Sequence, residues 1–232
     1  MYFESIYDTL EQNQQRIPSD TPVKLITRHS IRFPITDPLR PQDASLTPEG
    51  ICLAQKFGRC IRVPLGVMRA SPVQRCVHTA RCILEGYAET HPQALLPEII
   101  SDERLYTSYI ADAELARQSP RKRTDMELLR GLCDRQPIPG HVSLETAVNR
   151  ILDAVFARET DNLPAGSRLD IYVTHDFQLV LLAAELLPLS VGANDNPWQH
   201  WPRMLEGMLM WGSRSNFHIA WRNTIVRHPL SP

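Results

Sequence analysis

The chain has 232 residues, 43% of them hydrophobic and 22% charged, with a formal net charge of −1. That balance is ordinary for a globular protein, and the length is enough to bury a self-sustaining core. It lacks the basic excess that nucleic acid or an acidic membrane surface demands, so neither is expected as a partner, and no apolar stretch approaches the ~20 residues of a membrane span.

The N-terminal stretch "MYFESIYDTLEQNQQRIP" carries acids and amides where a signal peptide has a basic end and an apolar run. It reads as a short helix over about 2–15. The five cysteines, Cys52, Cys60, Cys76, Cys82 and Cys133, are odd in number and form no CxxC. They argue against a disulfide framework and against a tetrahedral zinc site. No metal or cofactor is expected, and the expected compartment is the reducing cytoplasm.

Val23 to Thr27 reads as a buried strand. It runs without a turn into Arg28, His29, Ser30 and Arg32, then Pro34. "LTPEGICLAQKFGRCIR" reads as a helix, with Thr47 as cap, Pro48 at the first position, and Ala54, Phe57 and Ile61 on one face. "PLGVMRAS" is a short strand. "SPVQRCVHTARCILEGYAE" is a helix capped by Ser71, with Val73, Val77, Ala80 and Leu84 on one stripe.

Residues 91–141 are rich in proline and charge and weak in periodicity, and read as an insertion that covers something. "SLETAVNRILDAVFARE" is a helix, "RLDIYVTHD" a buried strand, and "FQLVLLAAELLP" a helix stopped by Pro188. A loop with Trp198 and Trp201 follows, and "NFHIAWRN" alternates like a half-buried strand. Strands alternating with helices predict an α/β layered fold with a mostly parallel sheet and helices on both faces, in a single domain spanning 1–232.

Three of these strand ends carry unusual residues. The first ends in Arg28, His29 and Arg32, the second in Ser71 with Arg75 a turn later, the third in Thr174, His175 and Asp176. Ligands of open parallel sheets bind beyond such ends. Brought together, three guanidiniums, two imidazoles and one carboxylate suit a phosphoryl group. Arginine forks match its oxygens. A neutral imidazole can attack phosphorus, and Asp176 can protonate the leaving alkoxide. Singly, each piece is more often a surface pair or a helix cap; their joint occurrence carries the reading.

"RHSIRFP" resembles the Arg-His-Gly-x-Arg-x-Pro motif of the histidine phosphatase superfamily, in its acid-phosphatase branch, and "THD" resembles that branch's His-Asp motif. "ASPVQRCVHTA" is similar to the superfamily's Ser-Pro-x-x-Arg segment. "WPRMLEGMLMW" and "FHIAWRN" are weakly similar to the branch's C-terminal region. The resemblance covers roughly residues 22–90 and 165–225. It implies a three-layer α/β/α, phosphoglycerate mutase-like fold with a small cap at about 91–141. It implies His29 as the phosphorylated nucleophile and Asp176 as proton donor, with Arg28, Arg32, Arg75 and His175 holding the phosphoryl group. No metal is implied.

The chain departs from the motif at Ser30, which replaces glycine. Ser30 either costs something there or donates its hydroxyl to the phosphate. In the mutase-like branch a glutamate follows the second helix; here "DERLYTSY" places Thr107 at that point, with Glu103 out of register, which favours Asp176. Acid-phosphatase members are usually secreted, longer and disulfide-bonded, features this chain lacks.

The expected substrate is a phosphorylated small molecule. Two other functions remain open: a phosphate- or phosphoprotein-binding regulatory protein with little turnover, and a phosphoryl-transfer mutase. Arg117, Arg121, Lys122 and Arg123 form a basic cluster that reads as a solvated face, or else as a site for extra phosphates. Trp198 and Trp201 read as packing residues. His78 reads as structural, and His141, His200, His218 and His228 show no ligand spacing.

Overall fold

The computed structural model describes residues 21–37, 40–118, 124–157, 167–188, 201–222 and 224–229. The helix expected at 2–15, Trp198, His200, and Arg121, Lys122 and Arg123 lie outside these residues. Strands β1 (Val23–Arg28), β2 (Leu65–Ala70), β3 (Ile99–Ser101), β4 (Leu169–Thr174), β5 (Gly207–Ser213), β6 (Asn216–Trp221) and β7 (Thr224–Pro229) form one sheet in the order β3-β2-β4-β1-β5-β6-β7. The first four positions are parallel, and β5, β6 and β7 extend the sheet as an antiparallel meander. The sheet is mixed and mostly parallel, as expected. The meander is longer than its alternation announced, since β5 is buried along most of its length and shows no period of two.

The helices are α1 (Pro48–Cys60), α2 (Gln74–Thr90), α3 (Ala113–Arg117), α4 (Asp125–Cys133), α5 (Leu144–Val155) and α6 (Asp176–Leu186). On one face of the sheet, Ala54, Phe57, Cys76 and Ile83 of α1 and α2 pack against Leu25, Met68, Ile171 and Val173. On the other, Leu129, Ile151 and Leu181 of α4, α5 and α6 pack against Ile26, Tyr172 and Met210. Successive strand residues thus feed opposite cores, which gives three layers. No helix among the described residues is long and apolar enough to cross a membrane.

Thr47 caps α1, accepting the Gly50 N–H at 3.0 Å, with Pro48 in the first turn. The second helix differs from expectation. It begins at Gln74, its N-cap is Val73, and no side chain caps it. Ser71 lies further upstream, where its hydroxyl meets His175. Residues 91–141 contribute to the sheet itself: Ile99–Ser101 pairs in parallel with Met68–Ala70 at its edge. Beyond it the buried Asp102 takes Arg69 Nη1 at 2.9 Å, Arg104 Nη2 at 2.6 Å and Arg104 Nε at 2.9 Å, pinning the segment to the sheet.

α1 and α2 cross at glycines. A Cβ on Gly58 would lie 2.0 Å from the Ile83 carbonyl oxygen, and one on Gly86 would lie 1.9 Å from that of Gln55. Backbone cannot yield as a side chain tip does, so Gly86→Ala should lower stability by about 3 kcal/mol, the upper end of overpacking costs. Urea denaturation of the variant beside wild type measures this.

Candidate active site

β4 lies between β1 and β2, so the three strand ends named by the sequence are adjacent. The backbone enforces it: His29 N–H donates to Thr174 O and Ser71 N–H to Val173 O, each at 2.9 Å. His29, Ser71, Arg75 and His175 are all buried beyond these ends. The two imidazole centroids stand 5.5 Å apart, nearly edge to face.

Arg75 determines what each imidazole is. Its Nε–H donates to His29 Nε2 at 3.0 Å, and its Nη2 meets His175 Nδ1 at 3.1 Å. A guanidinium can only donate, so both of those ring nitrogens carry lone pairs. The proton of His29 is therefore on Nδ1, donated to Ser30 O at 2.7 Å. That of His175 is on Nε2, facing Ser71 Oγ at 2.9 Å. Burial drives the His29 pKa well below its usual 6.5 and that of His175 down to about 3, with Arg75 pressing both the same way. Both rings are neutral at pH 7. Cys76 lies 3.5 Å from His175 Nε2, and burial pushes its thiol up to about 12.

Arg28 reaches two partners. Nη2 lies 2.7 Å from Asp176 Oδ2, and Nη1 donates to Pro202 O at 2.7 Å. Its Nε is buried without a partner, and so is the Nε of Arg32, whose Nη1 donates to Phe33 O. Buried N–H donors are rarely left unmatched, and two beside neutral imidazoles suit an anion. Burial lowers the Arg28 pKa, and the neighbouring Arg32 and Arg75 charges add to this. Asp176 opens α6; its Oδ1 accepts the Phe177 N–H at 2.9 Å, and its Oδ2 also accepts Trp201 Nε1–H at 3.1 Å.

Ser30 stands apart from this group. Its hydroxyl donates to Gly50 O at 2.7 Å and its N–H to Thr79 Oγ1 at 3.0 Å, so it does not face the space between the imidazoles. Its φ is not positive, and the replacement of glycine carries no backbone strain. Thr107 donates to Glu103 O on an exposed turn. Arg117 is exposed and paired with Glu114.

Sequence reasoning missed the contacts of Trp201 and Tyr106. Tyr106 packs on His175 at 5.2 Å between centroids. The segment after Trp201 wraps the site: Leu205 N–H donates to His29 O at 3.4 Å, Thr27 Oγ1 donates to Leu205 O, and Arg28 N–H donates to Glu206 O. Leu205 and Arg222 adopt left-handed backbone, φ 59° and 53°. Among the described residues no cluster of three His, Cys, Asp or Glu could hold a metal ion.

A family model described as histidine phosphatase superfamily (branch 1) matches residues 38–200. Solved structures that resemble the chain include a mycobacterial glucosyl-3-phosphoglycerate phosphatase, at 18% identity and TM-score 0.57, covering 87% of this chain and 99% of that one. A phosphoglycerate mutase from Bacillus anthracis matches at 13% and 0.52, covering 88% and 94%. A phosphoserine phosphatase from Entamoeba histolytica matches at 14% and 0.51, covering 82% and 90%. No curated protein matches the chain. The structures share its fold.

The unfolded chain takes up a proton near pH 6.5 that the folded His175 refuses down to about 3. Stability from this site is therefore full above pH ~6.5 and falls as pH drops toward 3. At pH 5 His175 alone should cost about 2 kcal/mol, and His29, lowered as well, adds to the fall. Denaturant midpoints in phosphate-free buffer between pH 7 and 5 measure it, and His175→Asn should flatten the slope.

Proposed function

Because the chain belongs to the histidine phosphatase superfamily, we propose that it is a phosphomonoester hydrolase working through a phosphohistidine on His29. The observation that carries this reading is the neutral His29, its Nε2 lone pair turned to Arg75, with Arg28 and Arg32 Nε–H groups buried and unmatched alongside. A phosphoryl dianion would take those two donors and draw the Arg75 Nε–H off the ring. Freed, Nε2 attacks phosphorus in line as the P–O bond to the leaving alkoxide breaks. Arg75 holds the equatorial oxygens, and His175 joins it once the charge of the dianion lets its Nδ1 take up a proton.

The alkoxide leaves as an alcohol with a proton from Asp176. Water then attacks the phosphohistidine, the Asp176 carboxylate takes its proton, and phosphate departs with His29 regenerated. Arg28 opposes the first of these roles, since it lies 2.7 Å from Asp176 and favours the carboxylate. Substrate relieves this by giving Arg28 a second anion. The substrate class is a phosphorylated small molecule, and the acid-phosphatase assignment rests on the resemblance of residues 28–34 and of His175–Asp176, with Thr107 in its favour, whereas the matching family model is branch 1. Cysteines with no disulfide among the described residues fit the cytoplasm as the working compartment.

Hydrolysis of p-nitrophenyl phosphate in the presence of a chelator tests the reading. Wild type should turn over and form an acid-labile, base-stable phosphoenzyme. His29→Ala should lose both, with a rate fall of about 10³-fold or more. Wild-type protein that binds vanadate yet releases no phosphate from any ester would favour the binding-protein alternative.

A further inference from the structure

We infer that Trp201 is the positioning residue of the proton donor, holding Asp176 in place once substrate has taken Arg28; this rests on the hydrolase reading above. Asp176 Oδ2 accepts from only two groups among the described residues, Arg28 Nη2 at 2.7 Å and Trp201 Nε1 at 3.1 Å. Oδ1 is committed to the adjacent Phe177 N–H. The two donors on Oδ2 differ in kind. A guanidinium rewards the charged carboxylate, whereas an indole N–H is neutral. A protonated carboxyl keeps lone pairs on both oxygens, so the indole orients the group whether or not the proton is present. An acid that later serves as base needs such a contact, because its geometry must survive both halves of the reaction.

The indole is itself held. The Trp201 ring packs partly buried against the core beneath α4, α5 and α6. Its carbonyl accepts from Arg222 Nη2 at 3.3 Å. Arg222 is fastened by Nε to Glu206 Oε1 at 2.6 Å, an oxygen that also accepts the Trp221 indole N–H at 2.8 Å. The next residue, Pro202, takes Arg28 Nη1 at 2.7 Å. One two-residue segment thus touches both members of the Arg28–Asp176 pair. Leu205, next to Glu206 in the chain, holds left-handed backbone at φ 59°, and the hub fixes it there.

Trp201→Phe keeps the ring and removes the donor. Its kcat on glycerol 2-phosphate, whose alkoxide needs a proton, should fall about tenfold more than its kcat on p-nitrophenyl phosphate, whose phenolate barely does. The loss should lie in kcat and not in KM. Equal losses on both esters, or a loss confined to KM, would overturn the inference. Should the variant not fold, ¹⁵N-indole spectra of wild type and Asp176→Ala decide: one indole N–H signal should move upfield on loss of its acceptor, and unmoved signals overturn the contact. A wild type inactive on both esters sinks the hydrolase reading instead; an active wild type with an unchanged ratio in Trp201→Phe sinks this inference alone.

Discussion

Arg75 stands between two imidazoles and donates to both. A cation in that position disfavours a positive charge on either ring, and this has consequences for every neighbour. His29 must send its proton to its own chain, onto the Ser30 carbonyl, and His175 must turn its proton to Ser71. The lone pair on His29 Nε2 is produced by geometry and burial and does not wait for a base to remove a proton. Ser71 Oγ serves that ring and the Val73 N–H, at 3.3 Å, and α2 starts at Gln74 with Val73 before it.

The opposing charges are arranged so that none is left without work. Arg28 pairs with Asp176 while its Nε remains unmatched, and Arg32 offers a second such donor. Arg28, Arg32 and Arg75 thus crowd beyond β1 and β2, with the carboxylates of Asp176 and Glu206 opposing them. On the proposed hydrolase reading, an arriving dianion would relieve the repulsion and release the carboxylate in the same event, so the groups that keep Asp176 placed would matter as much as those that charge it.

The scaffold supports this crowding by rigidity. Parallel strands buried on both faces leave the sheet ends no freedom to splay. Asp102, with two arginines on its carboxylate, ties the covering segment to the edge beside β2. On the opposite side the Glu206 hub ties the approach to β5 down onto His29 and Arg28. The site is clamped from both flanks by ion pairs that the catalytic groups themselves do not share.

Much was legible in the residues. The apolar run Val23 to Thr27 ending in charge, the Thr47-Pro48 start, and the buried run before His175-Asp176 each carry their cause locally, in period, cap or turn chemistry. These determined the α/β alternation and the three loaded strand ends. Ser30 was not decidable in this way, because whether its hydroxyl meets phosphate or Gly50 depends on where α1 packs, 20 residues away in sequence. Nor was the role of Trp201, since an indole's single donor is meaningful only once a carboxylate is known to sit 3.1 Å from it. Strand order, the tautomers set by Arg75, and the partner of Asp176 are decided by which elements come to lie side by side. That is a property of tertiary contact between distant segments, and no local pattern encodes it.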